Sequence, residues 1–147
     1  MSQLQQSNED NHPKAARKHL EDAETLLDGK RADGAAYLSG YVVECTLKSI
    51  MLLGKEEATK GRDWGHNLKD LRHTASLVLS HIETDAARYV TDAIKELDSS
   101  GIANGWRPEM RYREPNMTDS QAKEWFTEAR DLYMATFGRM SLDAGIQ

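Results

Sequence analysis

The chain contains little of several residue types that define particular classes of protein. Cys45 is the one cysteine among 147 residues, which excludes an internal disulfide and a zinc site built from several cysteines. Three prolines and ten glycines argue against a loop-dominated or collagen-like protein. No apolar run approaches the ~20 residues of a membrane span. Residues 1–12 are polar and acidic, unlike a signal or transit peptide, so we expect a cytoplasmic protein with no membrane contact.

The charge balance is acidic overall but basic in two places. With 19 Lys and Arg against 24 Asp and Glu, the net charge is -5, whereas a protein that coats nucleic acid would be basic. Residues 60–73 hold four basic and two acidic side chains, and residues 105–113 hold three and one. The composition therefore excludes a general nucleic-acid coat and leaves room for one focused anion site.

Apolar spacing predicts a helical protein without strands. The helices are expected at residues 13–29, 33–53, from His66, 83–97 and from Thr118. The second has the widest apolar face, which is typical of a central helix. Residues 98–117 form a Gly-, Pro- and Asn-rich connection, and its length indicates either a function or a wrongly assigned element. We predict an all-α antiparallel bundle of about five helices over residues 13–140, between a disordered polar tail (1–12) and a C-terminal tail (141–147).

The strongest candidate for a binding site is the arginine-rich part of that connection. Arg107, Arg111 and Arg113 lie within seven residues, together with Trp106 and Tyr112. Guanidinium groups bind phosphate, and aromatic rings stack on bases. In the alternative interpretation the arginines pair with acidic side chains, and Trp106 and Tyr112 close one end of the bundle.

Two charged residues stand in the apolar second helix. Glu44 and Lys48 are one turn apart, in the orientation that stabilises helices, and Tyr37 and Tyr41 precede them on the same face. They predict a buried ion pair or, alternatively, a polar face beside the arginines, on which Glu44 orients an arginine. His66 follows a glycine at a predicted helix start, where it either contributes to an anion site or caps the helix.

The remaining reactive side chains favour structural roles. Cys45 lies on an apolar face and is expected to act as a small hydrophobe. His19, His73 and His81 are expected at the surface or packed within the bundle. An aromatic stripe on the last helix predicts core or a dimer interface: Trp125, Phe126, Tyr133 and Phe137. No spacing predicts a metal ion or a cofactor.

Three motifs in order resemble the HEPN domain superfamily. They are a central helix with Glu followed by Leu-Lys, a His-x-Leu-x-x-Leu element and an Arg-Tyr pair. In this chain the motifs correspond to Glu44, Leu47 and Lys48, to His66, Leu68 and Leu71, and to Arg111 and Tyr112. The resemblance covers residues 14–137. It implies a helical bundle, commonly dimeric, that binds nucleotides or RNA, frequently in toxin–antitoxin or defence systems.

The chain departs from the ribonuclease members of that superfamily. Those members carry an arginine, four to six residues and then a histidine near the last helix, but no histidine follows His81 here. Tyr112 stands where the imidazole is expected, and a phenol with a pKa near ~10 is a poor base at neutral pH. Because this motif is absent, the sequence favours a protein that is not an enzyme, although it does not decide the question.

The resemblance and the charge pattern together give one leading expectation and two alternatives. We expect a homodimer that binds a nucleotide or RNA phosphate through six residues: Arg107, Arg111, Tyr112, Glu44, Lys48 and His66. The first alternative is a non-catalytic interaction module that partners a nucleotidyltransferase. The second is a ribonuclease with a non-standard acid–base pair, such as His66 with Arg111.

Overall fold

The computed structural model describes residues 11–54, 64–97 and 101–144, with side chains described through residue 138. Within these ranges the chain forms six α-helices and no strand. They are α1 (His12–Asp28), α2 (Ala32–Met51), α3 (Leu68–Leu79), α4 (Asp85–Glu96), α5 (Gly101–Gly105) and α6 (Asp119–Ala144), with a 3-10 helix at Pro108–Tyr112. The predicted all-α bundle is confirmed, with a sixth, short helix. No helix in the described ranges has an apolar stretch long enough to cross a membrane.

The second helix is the centre of the bundle, as its wide apolar face predicts. It packs against α1, α3 and α6, and every residue from Val42 to Met51 is buried. Leu47 and Ile50 meet Leu71 of α3 and Leu132 of α6 in one continuous core. Burial on all sides explains why the apolar positions of this helix do not form a narrow stripe.

Side-chain caps determine where three helices begin. Asn67 accepts hydrogen bonds from the backbone N–H of Lys69 and Asp70, so α3 begins after it and not at His66. Thr84 caps α4 in the same way, so this helix begins at Asp85, two residues later than the apolar pattern predicts. The predicted capping box at Thr118 is confirmed, because its hydroxyl and the Gln121 side chain each accept from the other's backbone N–H at 3.0 Å.

Other predicted boundaries move by a few residues. The first helix begins at His12, with Pro13 in its first turn, and ends at the predicted Gly29. Helix α2 begins at Ala32, and Asp33 does not cap it, because that carboxylate binds a distant part of the chain. Helix α6 continues to Ala144, past the predicted end of the bundle at residue 140. Residues 1–10, 55–63, 98–100 and 145–147 lie outside the described residues. With them lie most of the predicted N-terminal tail, the last three residues of the predicted C-terminal tail, and most of the segment 54–65, which its three glycines and lack of apolar periodicity predict to be a loop.

The predicted long connection contains regular structure. Helix α5 and the 3-10 helix occupy residues 101–105 and 108–112 of the segment that the sequence predicts to be a loop. A side-chain oxygen of Glu128 on α6 accepts from the backbone N–H of Ile102, and Trp125 packs so closely on Gly101 and Gly105 that an added Cβ would lie within 3.0 Å of its indole. These contacts come from α6, so local propensity does not reveal them.

Candidate functional site

One face of α2 holds the arginine-bearing segment in place. Asp33, Tyr37 and Gly40 are spaced i, i+4 and i+7, which aligns them along a single stripe of the helix. Asp33 Oδ1 accepts from the backbone N–H of Asn116 at 3.0 Å and of Met117 at 3.3 Å. The segment from 106 to 117 is fixed to the central helix near both of its ends. Asp33 holds the end at Asn116 and Met117, and Tyr37 and Gly40 hold the end at Trp106.

Trp106 forms the first of these attachments. Its side chain is fully buried, and its indole Nε1 donates to the backbone carbonyl of Tyr37 at 2.9 Å. Gly40 makes room for the ring, since a Cβ at this position would lie 1.9 Å from Nε1. Trp106 therefore closes the bundle, in agreement with the structural interpretation, and its ring is not available for stacking on a base.

Arg111 stands between the two attachments and faces solvent. Its Nη1 donates to the Tyr37 hydroxyl at 3.5 Å, and its guanidinium carbon lies 4.8 Å from the centre of the Tyr112 ring. The hydrogen bond to Tyr37, followed by that to Tyr112, raises the pKa of Arg111 above its ordinary value. Tyr112 is 77% exposed. A permanent positive charge and an exposed aromatic ring are thus presented side by side.

A cavity of about 480 Å³ opens beside this arginine, and we call it the Arg111 cavity. Its apolar lining comes from Met110, Met117 and Trp125, and two arginines, Arg111 and Arg113, line it as well. Aromatic and thioether surface next to a few charged groups is the usual composition of a small-molecule site.

Two carboxylates also line the Arg111 cavity. One of them, Asp33, already accepts two backbone N–H groups, and the other, Glu114, is exposed on the same segment as Arg113. Because hydrogen bonds to N–H groups partly neutralise a carboxylate, the two guanidinium groups are less strongly opposed than a count of charges suggests.

A second polar group lies further along α2. The Glu44 carboxylate, whose side chain is 6% exposed, lies 2.6 Å from His66 Nδ1 and 3.4 Å from Lys48 Nζ. The His66 side chain is 55% exposed, so the buried carboxylate holds a histidine at the surface. Glu44 thus contacts Lys48, as the ion-pair interpretation predicts, and His66. In the alternative interpretation Glu44 orients an arginine, but Arg111 contacts Tyr37 instead.

Two tyrosines connect these groups. The hydroxyls of Tyr37 and Tyr41 are 3.1 Å apart, and the Tyr41 ring lies between those of His19 and His66, with centroids 5.5 and 6.5 Å away. Burial and then the hydrogen bond to Tyr37 raise the pKa of Tyr41, so it remains a neutral phenol. Burial, helped by Lys18, lowers the pKa of His19. Because Arg111 contacts Tyr37, Tyr37 contacts Tyr41 and Tyr41 lies beside His66, Arg111 and His66 belong to one polar surface of the bundle.

Arg107 is placed apart from the Arg111 cavity. It is half-buried, its Nη1 donates to the backbone carbonyl of Trp106 at 2.6 Å, and it does not line the cavity. Asp33, Met117 and Trp125 are not among the site residues that the sequence predicts. The i, i+4, i+7 spacing of Asp33, Tyr37 and Gly40 is the one signal that points to a contact with this face.

The aromatic stripe and the cysteine have structural positions. Phe126 is buried, and Trp125, Tyr133 and Phe137 are half-buried and pack against the core, as the core interpretation predicts. Cys45 is buried in α2. Among the described residues no three side chains of His, Cys, Asp or Glu gather in a group that could hold a metal ion.

Comparisons with known proteins do not assign the chain to a family. No family model matches it, and neither a curated protein nor a solved structure matches it. A function is therefore inferred from the geometry of the Arg111 cavity and of the contact between Glu44 and His66.

Proposed function

We propose that the chain is a HEPN-like bundle that binds a phosphate group of a nucleotide or of RNA through Arg111 and Arg113. The observation that carries this proposal is the exposed Arg111 guanidinium, which the Tyr37 hydroxyl orients at the mouth of a cavity of about 480 Å³. A guanidinium has five N–H donors in a rigid fork that matches phosphate oxygens. Holding that fork in place lowers the entropy cost of forming the contact.

The lining of the Arg111 cavity suits the remainder of such a ligand. Small-molecule pockets commonly measure about 300–1,000 Å³, a range that includes this one. Trp125, Met110 and Met117 offer apolar surface to a base, and the exposed Tyr112 ring offers a stacking platform. We do not include Arg107 in this contact set, because its guanidinium is engaged with the Trp106 carbonyl.

Binding of a fluorescent nucleoside monophosphate and of a short single-stranded RNA tests the proposal. We expect Arg111→Ala to weaken binding about tenfold or more, since a charge-assisted hydrogen bond contributes roughly 1.5–3 kcal/mol. Arg111→Lys should restore part of the affinity, because it keeps the charge without the fork. Affinity should also fall as the salt concentration rises.

Arg88→Ala provides the matched control. Arg88 is 71% exposed on α4, pairs with Asp85 and does not line the Arg111 cavity. Equal affinities in wild type, Arg111→Ala and Arg88→Ala would contradict the proposal. Absence of nucleotide and RNA affinity, together with a stoichiometric complex with a nucleotidyltransferase, would favour the non-catalytic interaction module. Sedimentation of the purified protein would test the proposed homodimer.

A second candidate function is RNA cleavage, and the contact between Glu44 and His66 favours it. An ionised carboxylate only accepts hydrogen bonds, so Nδ1 of His66 carries the hydrogen and Nε2 has the lone pair of a base. The buried carboxylate orients an imidazole that is more than half exposed. Such a base takes the proton of a ribose 2′-hydroxyl whose neighbouring phosphate is held by an arginine. The 2′-oxygen then bonds to phosphorus, the bond from phosphorus to the 5′-oxygen breaks, and the leaving 5′-oxygen takes a proton from water, which gives a 2′,3′-cyclic phosphate and a free 5′-hydroxyl.

Cleavage of a fluorogenic RNA by the purified protein tests this second candidate. We expect His66→Ala to abolish cleavage and Glu44→Gln to reduce it, while Arg88→Ala retains wild-type activity. Cleavage that persists in His66→Ala, or no cleavage by the wild type, would exclude His66 as the base.

A further inference from the structure

A groove runs between α4 and α6, and it shares no lining residue with the Arg111 cavity. Helix α4 contributes Tyr89, Asp92, Ala93 and Glu96, and α6 contributes Asp131, Met134, Ala135 and Gly138. Both sets have the spacing i, i+3, i+4, i+7. Each helix therefore lines the groove with one stripe about two turns long, and the volume between them is about 590 Å³.

The groove is lined by small residues and by two exposed apolar side chains. Tyr89 is 47% and Met134 is 56% exposed, and they are two of the four large apolar side chains that the described residues leave exposed. Ala93, Ala135 and Gly138 supply the small positions, and a Cβ added at Gly138 would meet no atom within 4 Å. Small residues within the two stripes allow the backbone of a third helix to approach closely.

Among the described residues that line the groove, every charged side chain is negative. Asp92, Glu96 and Asp131 are exposed, and Asp131 makes a long contact of 3.9 Å with its chain neighbour Arg130. Asp92 and Glu96 take part in no ion pair between described residues. An apolar floor between carboxylates is complementary to a helix with an apolar stripe flanked by Lys or Arg.

The same charges disfavour a second copy of the chain and its N-terminal residues as occupants. A symmetric contact with a second copy would place this acidic face opposite itself, and like charges across an interface are repulsive. The N-terminal residues 1–10 contain Glu9 and Asp10 and no basic residue, so their charge has the wrong sign.

We propose that the groove between α4 and α6 is a docking site for a cationic amphipathic helix of a partner protein. The apolar stripe of that helix lies over Ala93, Ala135 and Gly138 and contacts Tyr89 and Met134. Its basic residues meet the three carboxylates. This contact is independent of phosphate binding at Arg111, so either can fail without the other.

A synthetic helix tests the proposal. The probe is a fluorescent peptide of about 18 residues with Leu at i, i+3, i+4 and i+7 and Lys at flanking positions, and the matched control peptide has Glu in place of Lys. We expect the Lys peptide to bind wild type and the Glu peptide not to bind. Asp92→Lys with Glu96→Lys should weaken binding about tenfold or more at low salt, because two attractive charges become repulsive.

Two controls separate the groove from general acidity. Glu24→Lys with Asp28→Lys makes the same change of net charge on α1, where both residues are exposed, and should leave the affinity close to that of wild type. Met134→Ser should weaken binding severalfold, whereas Leu77→Ser should not, although Leu77 on α3 is 53% exposed.

The outcomes are distinct. Equal losses in the α1 and α4 double variants would attribute binding to net charge and overturn the proposal. Wild-type affinity in Met134→Ser would do the same for the apolar contact. Self-association of the protein that Met134→Lys abolishes would identify a second copy as the occupant and likewise overturn the proposal.

Discussion

The contact between Gly40 and Trp106 makes a sharp prediction about stability. A Cβ at residue 40 would lie 1.9, 2.0 and 2.1 Å from three atoms of the indole. Carbon atoms pack at about 3.5–4.0 Å, so the ring would have to move by roughly 1.5–2 Å. Trp106 is fully buried, so a shift of this size brings the ring against the side chains that surround it. Gly40→Ala must therefore displace the ring from the core.

The expected cost follows from what the ring loses. Removing a buried Trp costs about 3–5 kcal/mol, which includes the hydrogen bond from its Nε1 to the Tyr37 carbonyl. Replacing Gly by Ala inside a helix raises the free energy of unfolding by about 1 kcal/mol, which offsets part of this loss. We expect Gly40→Ala to lower the free energy of unfolding by about 2–4 kcal/mol.

Gly138→Ala is the matched control, since it makes the same substitution within a helix where the new Cβ meets no atom. It should raise stability by up to about 1 kcal/mol. Urea unfolding followed by circular dichroism measures both variants. In a Trp106→Leu background the cost of Gly40→Ala should largely disappear, because the ring that clashes is gone. Equal stability of Gly40→Ala and Gly138→Ala, or an undiminished cost in that background, would refute the reasoning.

Three further predictions concern single side chains. Thr118→Ala should cost about 1 kcal/mol in urea unfolding, because it removes the cap of α6; an unchanged midpoint would contradict the capping box. Glu44→Gln should cost on the order of 3 kcal/mol by leaving Lys48 buried without its counter-charge, and Leu at both positions should recover most of that loss. If the double variant unfolds as early as Glu44→Gln, the pair is not the cause. Burial lowers the pKa of His19, so the unfolded chain binds more protons and stability falls as the pH drops below the ordinary value of 6.5. His19→Gln should therefore lose less stability than wild type between about pH 7.5 and 5.5, and parallel unfolding profiles would count against this.

The sequence predicts the parts of the fold that depend on local pattern. Apolar spacing and the Thr118 capping box identify the long helices, and the wide apolar face of α2 identifies the centre of the bundle. Helix α5 is missed because its glycines are poor helix formers, and what holds it is the Glu128 side chain and the Trp125 ring, both on α6. A contact over more than twenty residues has no signature in a local window.

The sequence likewise predicts only those parts of the candidate site that depend on local pattern. The arginine cluster is visible as local composition, and the spacing of Glu44 and Lys48 predicts their ion pair. That His66 reaches Glu44 across 22 residues, or that Tyr37 holds Arg111 across 74, depends on how helices pack. The roles within the cluster also differ: Trp106 is buried, Arg107 binds a backbone carbonyl, and Arg111 remains exposed, although all three lie within six residues.

The attachment of the arginine segment to α2 has a consequence for local unfolding. Arg111 is five residues from Trp106 and five from Asn116, and both anchor points are fixed to the most buried helix. The segment therefore cannot open by itself, as surface connections commonly do, unless the indole leaves the core. Its amide hydrogens should exchange together with those of the bundle. A variant that weakens the bundle at Gly40 should also weaken ligand binding, in proportion to the fraction of molecules in which the segment from 106 to 117 remains attached to α2.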